Sequence, residues 1–303
     1  MNYAPILLFV YNRPRHTERA LLSLYKNEES EDSPLIIYSD APRSPADQEA
    51  VAEVRRIIHE VQGFRSIEIV ERQENWGLAR SIIDGVTTQI DRYGRVIVVE
   101  DDLVVAPHFL RFMNDALETY KDEPRVGHIQ ACDFTGDSSL PPTFLIKFTG
   151  SWGWGTWQRA WKHFNPNGQE LLDEMQRRRL TRTFDFGGKY PFTRMLRRQV
   201  EGKNHSWAIR WNASLFLADI LSLNVGRSLV ANEGFDGSGT NCGGGNLYAS
   251  TLWPDVLKVE KIAPIEENLA ARQAFARYYG RTNSFWAKAK RRIVRTLKGD
   301  FSK

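Results

Sequence analysis

Cysteine is nearly missing from this chain: Cys132 and Cys242 are the only two among 303 residues. Two isolated thiols exclude a disulfide framework and a cysteine-rich zinc site, and they favour a reducing, cytoplasmic setting. Long apolar runs are missing as well. The opening stretch MNYAPILLFVYNRPRH holds an apolar segment of only about seven residues with no basic leader, far short of the ~20 needed to span a bilayer. No membrane-crossing segment is expected. The six histidines are scattered without a pair at metal-ligand spacing, so each is read as structural or exposed. There is no low-complexity tract, and no glycine-rich phosphate loop follows the first apolar run, where the sequence reads YNRPRH.

What is present has the balance of a folded enzyme, with 42% apolar residues, 26% charged residues and a net charge of +4. Short β-branched runs, ILLFVY (6–11), PLIIYSD (34–40), SIEIVER (66–72) and VIVVEDD (96–102), recur at intervals of roughly thirty residues. Helical patterns lie between them: HTERALLSLYK, then SPADQEAVAEVRRIIHEVQ, then GLARSIIDGVTTQIDRYG closed by Gly94. Strand-helix-strand repetition at this spacing predicts an α/β fold with a mostly parallel sheet flanked by helices. In such sheets, ligands bind beyond the carboxyl ends of the strands.

That rule gives meaning to the acidic end of VIVVEDD. Asn12 and Arg13, Asp40, and then Glu100, Asp101 and Asp102 each follow a strand, so they are expected to share one rim. Adjacent carboxylates repel, and a hard divalent cation with oxygen ligands holds them together, with phosphate oxygens of a substrate completing its shell. Mn2+ and Mg2+ both suit. The competing explanation is that Asp101 and Asp102 only favour the N-terminus of the following helix, PHFLRFMNDALETY, opened by Pro107.

VIVVEDDLVVAPHFLRF, together with ILLFVYNRPRHTERALLSL, YSD and ENWGLARSIIDGV, resembles the nucleotide-binding half of GT-A-fold glycosyltransferases. The EDD form of the DxD motif is especially similar to N-acetylglucosaminyltransferase I and its bacterial relatives. The resemblance implies a GT-A-like sheet with a nucleotide-sugar-binding half at 1–150, an acceptor-binding half at 151–265, and a C-terminal tail at 266–303. It implies that Tyr11 and Arg13 lie against the nucleotide base and phosphates and that Asp40 bonds the base. Asn75 and Arg80 would line the same cleft. Glu100 would face the donor sugar, Asp101 the ribose, and Asp102 would ligate the metal. The implied activity is metal-dependent, inverting transfer of a sugar from a nucleoside diphosphate, UDP foremost, to a saccharide acceptor in bacterial surface glycan synthesis.

The second half is less explicit. In TGSWGWGTWQRAWKHF, Trp152 and Trp154 stand in a glycine-rich extended segment as candidate sugar-stacking rings, Thr156 is a candidate N-cap, and Trp157 and Trp161 read as core. Some relatives carry an acid inside the S-W-x-x-x-W stretch, where this chain has Ala208 and Ile209. The candidate catalytic base is therefore Asp236, with Glu233 behind it, in a glycine-rich loop read as a lid. Residues 285–298 form a basic amphipathic pattern suited to an anionic membrane surface, at the inner face of the plasma membrane if the acceptor is lipid-linked. A sugar-nucleotide pyrophosphorylase and a non-catalytic nucleotide- or glycan-binding module are the alternatives. Nucleic-acid binding is not expected, because no recognition module accompanies the basic clusters.

Overall fold

The computed structural model describes residues 3–235 and 251–283. The first half alternates as its sequence pattern requires: β1 (Ile6–Val10), α1 (Pro14–Tyr25), β2 (Pro34–Ser39), α2 (Gln48–His59), β3 (Ser66–Glu71), α3 (Gly77–Tyr93) and β4 (Arg95–Glu100). A short strand β5 (Leu103–Val105) and helix α4 (Phe109–Thr119) follow, then β6 (Val126–Gln130), β7 (Thr143–Ile146) and β8 (Trp154–Trp157). The remaining elements are α5 (Gln158–Trp161), α6 (Gly168–Arg177), α7 (Thr181–Phe184), α8 (Phe192–Val200), α9 (Trp207–Leu217), β9 (Leu221–Val225), β10 (Val230–Asn232) and α10 (Leu269–Thr282). Among the described residues no helix is long and apolar enough to cross a membrane.

One eight-stranded sheet organises the chain in the order β3-β2-β1-β4-β8-β6-β9-β7. The first four strands are mutually parallel, with Ile6 opposite both Leu35 and Ile97. Strand β8 then runs antiparallel between β4 and β6, while β6 pairs parallel with β9 and β7 antiparallel with β9. The sheet is therefore mixed in its second half. Helices cover both faces of β1, which is why its run is continuously apolar rather than alternating. Ile6, Leu8 and Val10 pack with Leu21 and Leu24 of α1, Val54 and Ile58 of α2 and Phe112 of α4. Leu7 and Phe9 face the other way, onto Ile82, Val86 and Ile90 of α3 and toward Trp154, Trp207 and Trp211.

Local signals explain several boundaries. Helix α3 stops at Gly94, whose φ of 76° is a left-handed conformation that costs glycine little, and Gly94 N donates to Ile90 O at 2.8 Å. Helix α6 starts after Asn167, whose side chain accepts from Gln169 N and Glu170 N. Two expectations need correction. Helix α4 begins at Phe109 with His108 at the cap, so Pro107 precedes the helix instead of opening it. Thr156 caps no helix: it lies inside β8, and its hydroxyl donates to Gly127 O across the sheet at 2.7 Å.

Candidate functional site

Because β1, β2 and β4 are parallel, their carboxyl ends open onto one edge, and the side chains that follow them meet there. Arg13 follows β1 and stands at the cap of α1, its own carbonyl held by Thr17 N at 3.0 Å. From that fixed base its Nη2 donates to Asp101 Oδ1 and, at 3.0 Å, to Asp102 Oδ2. Arg13 Nη1 is buried and has no acceptor among the described residues. Asp101 and Asp102 are 5% and 8% exposed, so this ion pair lies largely out of water.

The electrostatics follow from setting three consecutive acids, Asp101 and Asp102 buried and Glu100 partly so, beside one guanidinium. Burial, reinforced by Asp102 and Asp101, pushes the Glu100 carboxyl well above the ordinary range. Burial also raises Asp101 to about 6, against the pull of Arg13. Arg13 loses some basicity to burial, but Asp101 and Asp102 more than restore it and raise it further. No hydrogen bond reaches the Glu100 carboxylate among the described residues. The donor set thus has surplus negative charge, oxygen ligands and a carboxylate without a partner, which fits a hard divalent cation. Among the described residues no group of three or more His, Cys, Asp or Glu side chains is arranged to hold a metal alone. One or two carboxylates plus phosphate oxygens is the usual shell for such an ion, so the two observations agree.

Asp40 belongs to the rim in a different way. Its Oδ1 accepts from Trp76 N at 2.8 Å and Ala41 N at 3.0 Å, and its Oδ2 accepts from Gly77 N at 2.7 Å. Those oxygens fix the turn into α3, and the favourable charge at that helix start adds to the hydrogen bonds. Asn75 supports the same turn through Nδ2 to Ala41 O at 2.7 Å. Arg80 stacks 3.8 Å from the Trp76 ring centre, and Arg72 lies 3.7 Å from it. Tyr11 Oη accepts from Arg43 N at 2.9 Å, while Asn12 Nδ2 donates to Asp47 Oδ1 at 2.8 Å, so both tie the loop after β2 to the end of β1.

A second, two-stranded sheet brings Glu233 to the rim, a pairing no local sequence pattern announces. β10 pairs antiparallel with β5, placing Asn232 opposite Leu103. The chain then continues so that Glu233 N donates to Asp102 O at 2.9 Å and Gly234 N to Asn232 Oδ1 at 2.8 Å. A Cβ on Gly234 would lie 2.3 Å from Asp102 Oδ2 and 3.2 Å from Arg13 Nη1, so only glycine fits this approach. Glu233 Oε1 pairs with Arg19 of α1, and its Oε2 is buried without a partner among the described residues. Asp236, the first candidate for the base, lies outside the described residues, as do most of its glycine-rich loop and the basic segment 285–298.

The two candidate sugar platforms separate. Trp152 is half-buried just before β8, whose antiparallel direction brings it to the rim, and it meets Phe235 edge-on at 5.7 Å. Trp154 is 0% exposed and stacks on Trp207 at 5.1 Å and on His128 at 5.4 Å. Trp154 is thus a core residue with no face to offer a saccharide, a correction that follows from β8 being an interior strand. Trp157 and Trp161 are buried, as expected of core residues, although Trp157 ends β8 and does not share a helix with Trp161. Behind Trp152 runs a relay: Trp211 Nε1 donates to His128 Nδ1 at 3.1 Å, His128 Nε2 lies 3.5 Å from Gln130 Oε1, and Gln130 Nε2 donates to Trp152 O at 3.3 Å. An open groove of about 1020 Å³ lined by Lys189, Arg277 and Arg281 includes none of the rim residues.

No protein-family model matches the chain, and no curated protein matches it. Among solved structures it is similar to a mannosyltransferase from Pyrobaculum calidifontis in complex with GDP-Man and Mn2+, at 13% identity and a TM-score of 0.38, over 71% of this chain and 75% of that one. It is also similar to S. aureus TarS 1–349, at 13% identity and a TM-score of 0.35, over 52% of this chain and 48% of that one. A putative nucleotide-diphospho-sugar transferase from Desulfovibrio desulfuricans G20 matches at 14% identity and a TM-score of 0.33, over 59% and 78% of the two chains. Likenesses this low assign no activity.

Proposed function

We propose that this chain is a metal-dependent glycosyltransferase of the GT-A type, moving a sugar from a nucleoside diphosphate to a saccharide acceptor. The observation that carries the reading is the Glu100-Asp101-Asp102 run at the end of β4, gathered with Arg13 at the sheet edge where phosphate ligands bind such folds. Asp102, with Asp101 beside it, would hold Mn2+ or Mg2+. When bound, that ion supplies charge neutralisation on the diphosphate leaving group. Arg13 Nη1, buried without an acceptor, donates to a phosphate oxygen. The turn held by Asp40, with Asn75 and Arg80, forms the nucleotide side of the cleft, and Trp152 offers its ring to the acceptor.

In the transfer step the acceptor oxygen bonds to the anomeric carbon as that carbon's bond to the diphosphate oxygen breaks. A carboxylate takes the acceptor proton. Glu233, beside the main chain of Asp102, and Asp236 are the candidates for that base, and attack from the face opposite the leaving group inverts the anomeric centre. UDP is the nucleotide the sequence resemblance favours. A surface glycan precursor is the proposed acceptor, and residues 285–298 would hold the enzyme at an anionic membrane when that acceptor is lipid-linked. A second reading, a non-catalytic nucleotide-binding module, is favoured by one observation. The SWAIRW stretch carries no acid, and Ile209 within it is only 2% exposed.

Calorimetric titration with UDP, GDP, CMP and dTDP, with and without Mn2+, on wild type and Asp102→Ala tests the proposal. Manganese-dependent binding of one nucleotide, lost in the variant, supports it, and binding of none refutes it. Transfer from the matching sugar nucleotide to added glycan acceptors then separates enzyme from binding module.

A further inference from the structure

Arg13 is poorly explained as a simple phosphate ligand. Its backbone is locked at the start of α1, since its carbonyl accepts from both Thr17 N and Thr17 Oγ1 at 3.0 Å and Pro14 follows it. Its side chain places one nitrogen, Nη2, on two carboxylates while the other, Nη1, is buried with no acceptor among the described residues. A buried guanidinium half without an acceptor is costly, and a structure keeps one where an acceptor arrives later. The backbone at Gly234 closes over the same atoms, so close to Asp102 Oδ2 that a single methyl group would collide. One of the two Asp102 carboxylate oxygens, Oδ2, is therefore already held by a cation and roofed by main chain.

The geometry points to Arg13 as an internal counter-cation that stands where the divalent ion would act and yields only to a metal bound together with a diphosphate. This rests on the transferase reading above and adds a rule of entry to it. A cation arriving alone meets the positive guanidinium beside the Asp102 carboxylate and gains Oδ2 only by displacing it, while offering it no new partner. A diphosphate brings oxygen acceptors for both Nη1 and Nη2. The guanidinium then passes from carboxylate to phosphate, and Asp102 is freed at the moment the metal needs it. Metal and nucleotide become mutually dependent, and by linkage each raises the affinity of the other by the same factor.

Mn2+ binding, followed by loss of the free-ion electron paramagnetic resonance signal, tests this without any turnover. Wild-type protein is titrated with Mn2+ alone and with saturating UDP or GDP in parallel. The expected result is weak binding alone and an increase of about 5- to 150-fold with the nucleotide, the usual range of a coupling between sites. In Arg13→Gln, Mn2+ alone should bind more tightly than to wild type, and the nucleotide should add little. Arg13→Lys keeps the charge and should remain weak for the metal alone. Equal Mn2+ affinity of wild type with and without a nucleotide that binds overturns the inference and leaves the transferase reading standing. Should neither nucleotide bind with Mn2+ present, both fall together. A protein-free Mn2+–nucleotide titration sets the baseline, the Arg13 variants assign any coupling to the guanidinium, and the wild-type comparison can overturn the inference even where a variant folds poorly.

Discussion

His128 gives the sharpest test of how the interior behind Trp152 is held. Its ring is 0% exposed, stacked against Trp154, with Nδ1 accepting from Trp211. An acceptor nitrogen requires the neutral form, and burial pushes the imidazole down to about 3. In the unfolded chain the same group titrates near 6.5. Between those values the unfolded state binds a proton that the folded state refuses, so the stability contribution is complete above pH 6.5 and is lost as pH falls toward 3. At about 1.4 kcal/mol per unit, acidification from pH 7 to 4.5 costs roughly 2.5 kcal/mol through this residue alone. Asp133 and Asp185, whose carboxyls burial raises, act in the opposite direction. The comparison must therefore be between wild type and His128→Gln, by urea unfolding followed by tryptophan fluorescence at several pH values. The difference in unfolding free energy between the two should shrink by about 2.5 kcal/mol over that range. Parallel pH profiles would refute the argument, because a neutral, proton-refusing His128 cannot leave the slope unchanged when replaced.

Other perturbations follow from the same geometry. Asp40→Ala removes the acceptor of two N–H groups at the start of α3 and should destabilise by about 2–4 kcal/mol in urea unfolding, with Asp40→Asn losing roughly half of that. Gly234→Ala forces a methyl group against Asp102, costing about 1–3 kcal/mol of stability, and calorimetry should find manganese-dependent nucleotide binding weakened. Trp154→Ala should destabilise by about 3–5 kcal/mol as a core truncation, whereas Trp152→Ala should cost less and chiefly lower transfer to acceptor.

Strand runs with both faces apolar, helices with caps, and acids at a strand end are local signals, and the first four strands, α3 with its Gly94 stop and the Asp101–Asp102 rim were all legible from them. Pairings between distant segments are not local. Nothing in VAN or LVV signals that β10 meets β5, yet that pairing carries Glu233 to Asp102. Trp154 reads as a surface ring because glycines flank it, but its burial is decided by which strands lie on either side. Asp40 reads as a ligand group at a strand end, and only the return of Trp76 and Gly77 to its oxygens reveals what it holds. Arg13 was legible as a rim residue, though its bridging of Asp101 and Asp102 was not.

The direction of β8 limits how the chain can be recombined. Cutting at residue 150 does not separate two halves, because β8 from beyond the cut fills the interior position between β4 and β6, while β7 from before it lies at the far edge against β9. A hybrid joined there would have to re-register a foreign strand against two neighbours at once. Residues 162–206 leave the sheet after α5 and return at α9 without contributing a strand. No strand pairing depends on that excursion, yet Leu172, Met175 and Leu196 within it share one core cluster with Phe144 and Ile146 of β7, so an exchange there must preserve that packing.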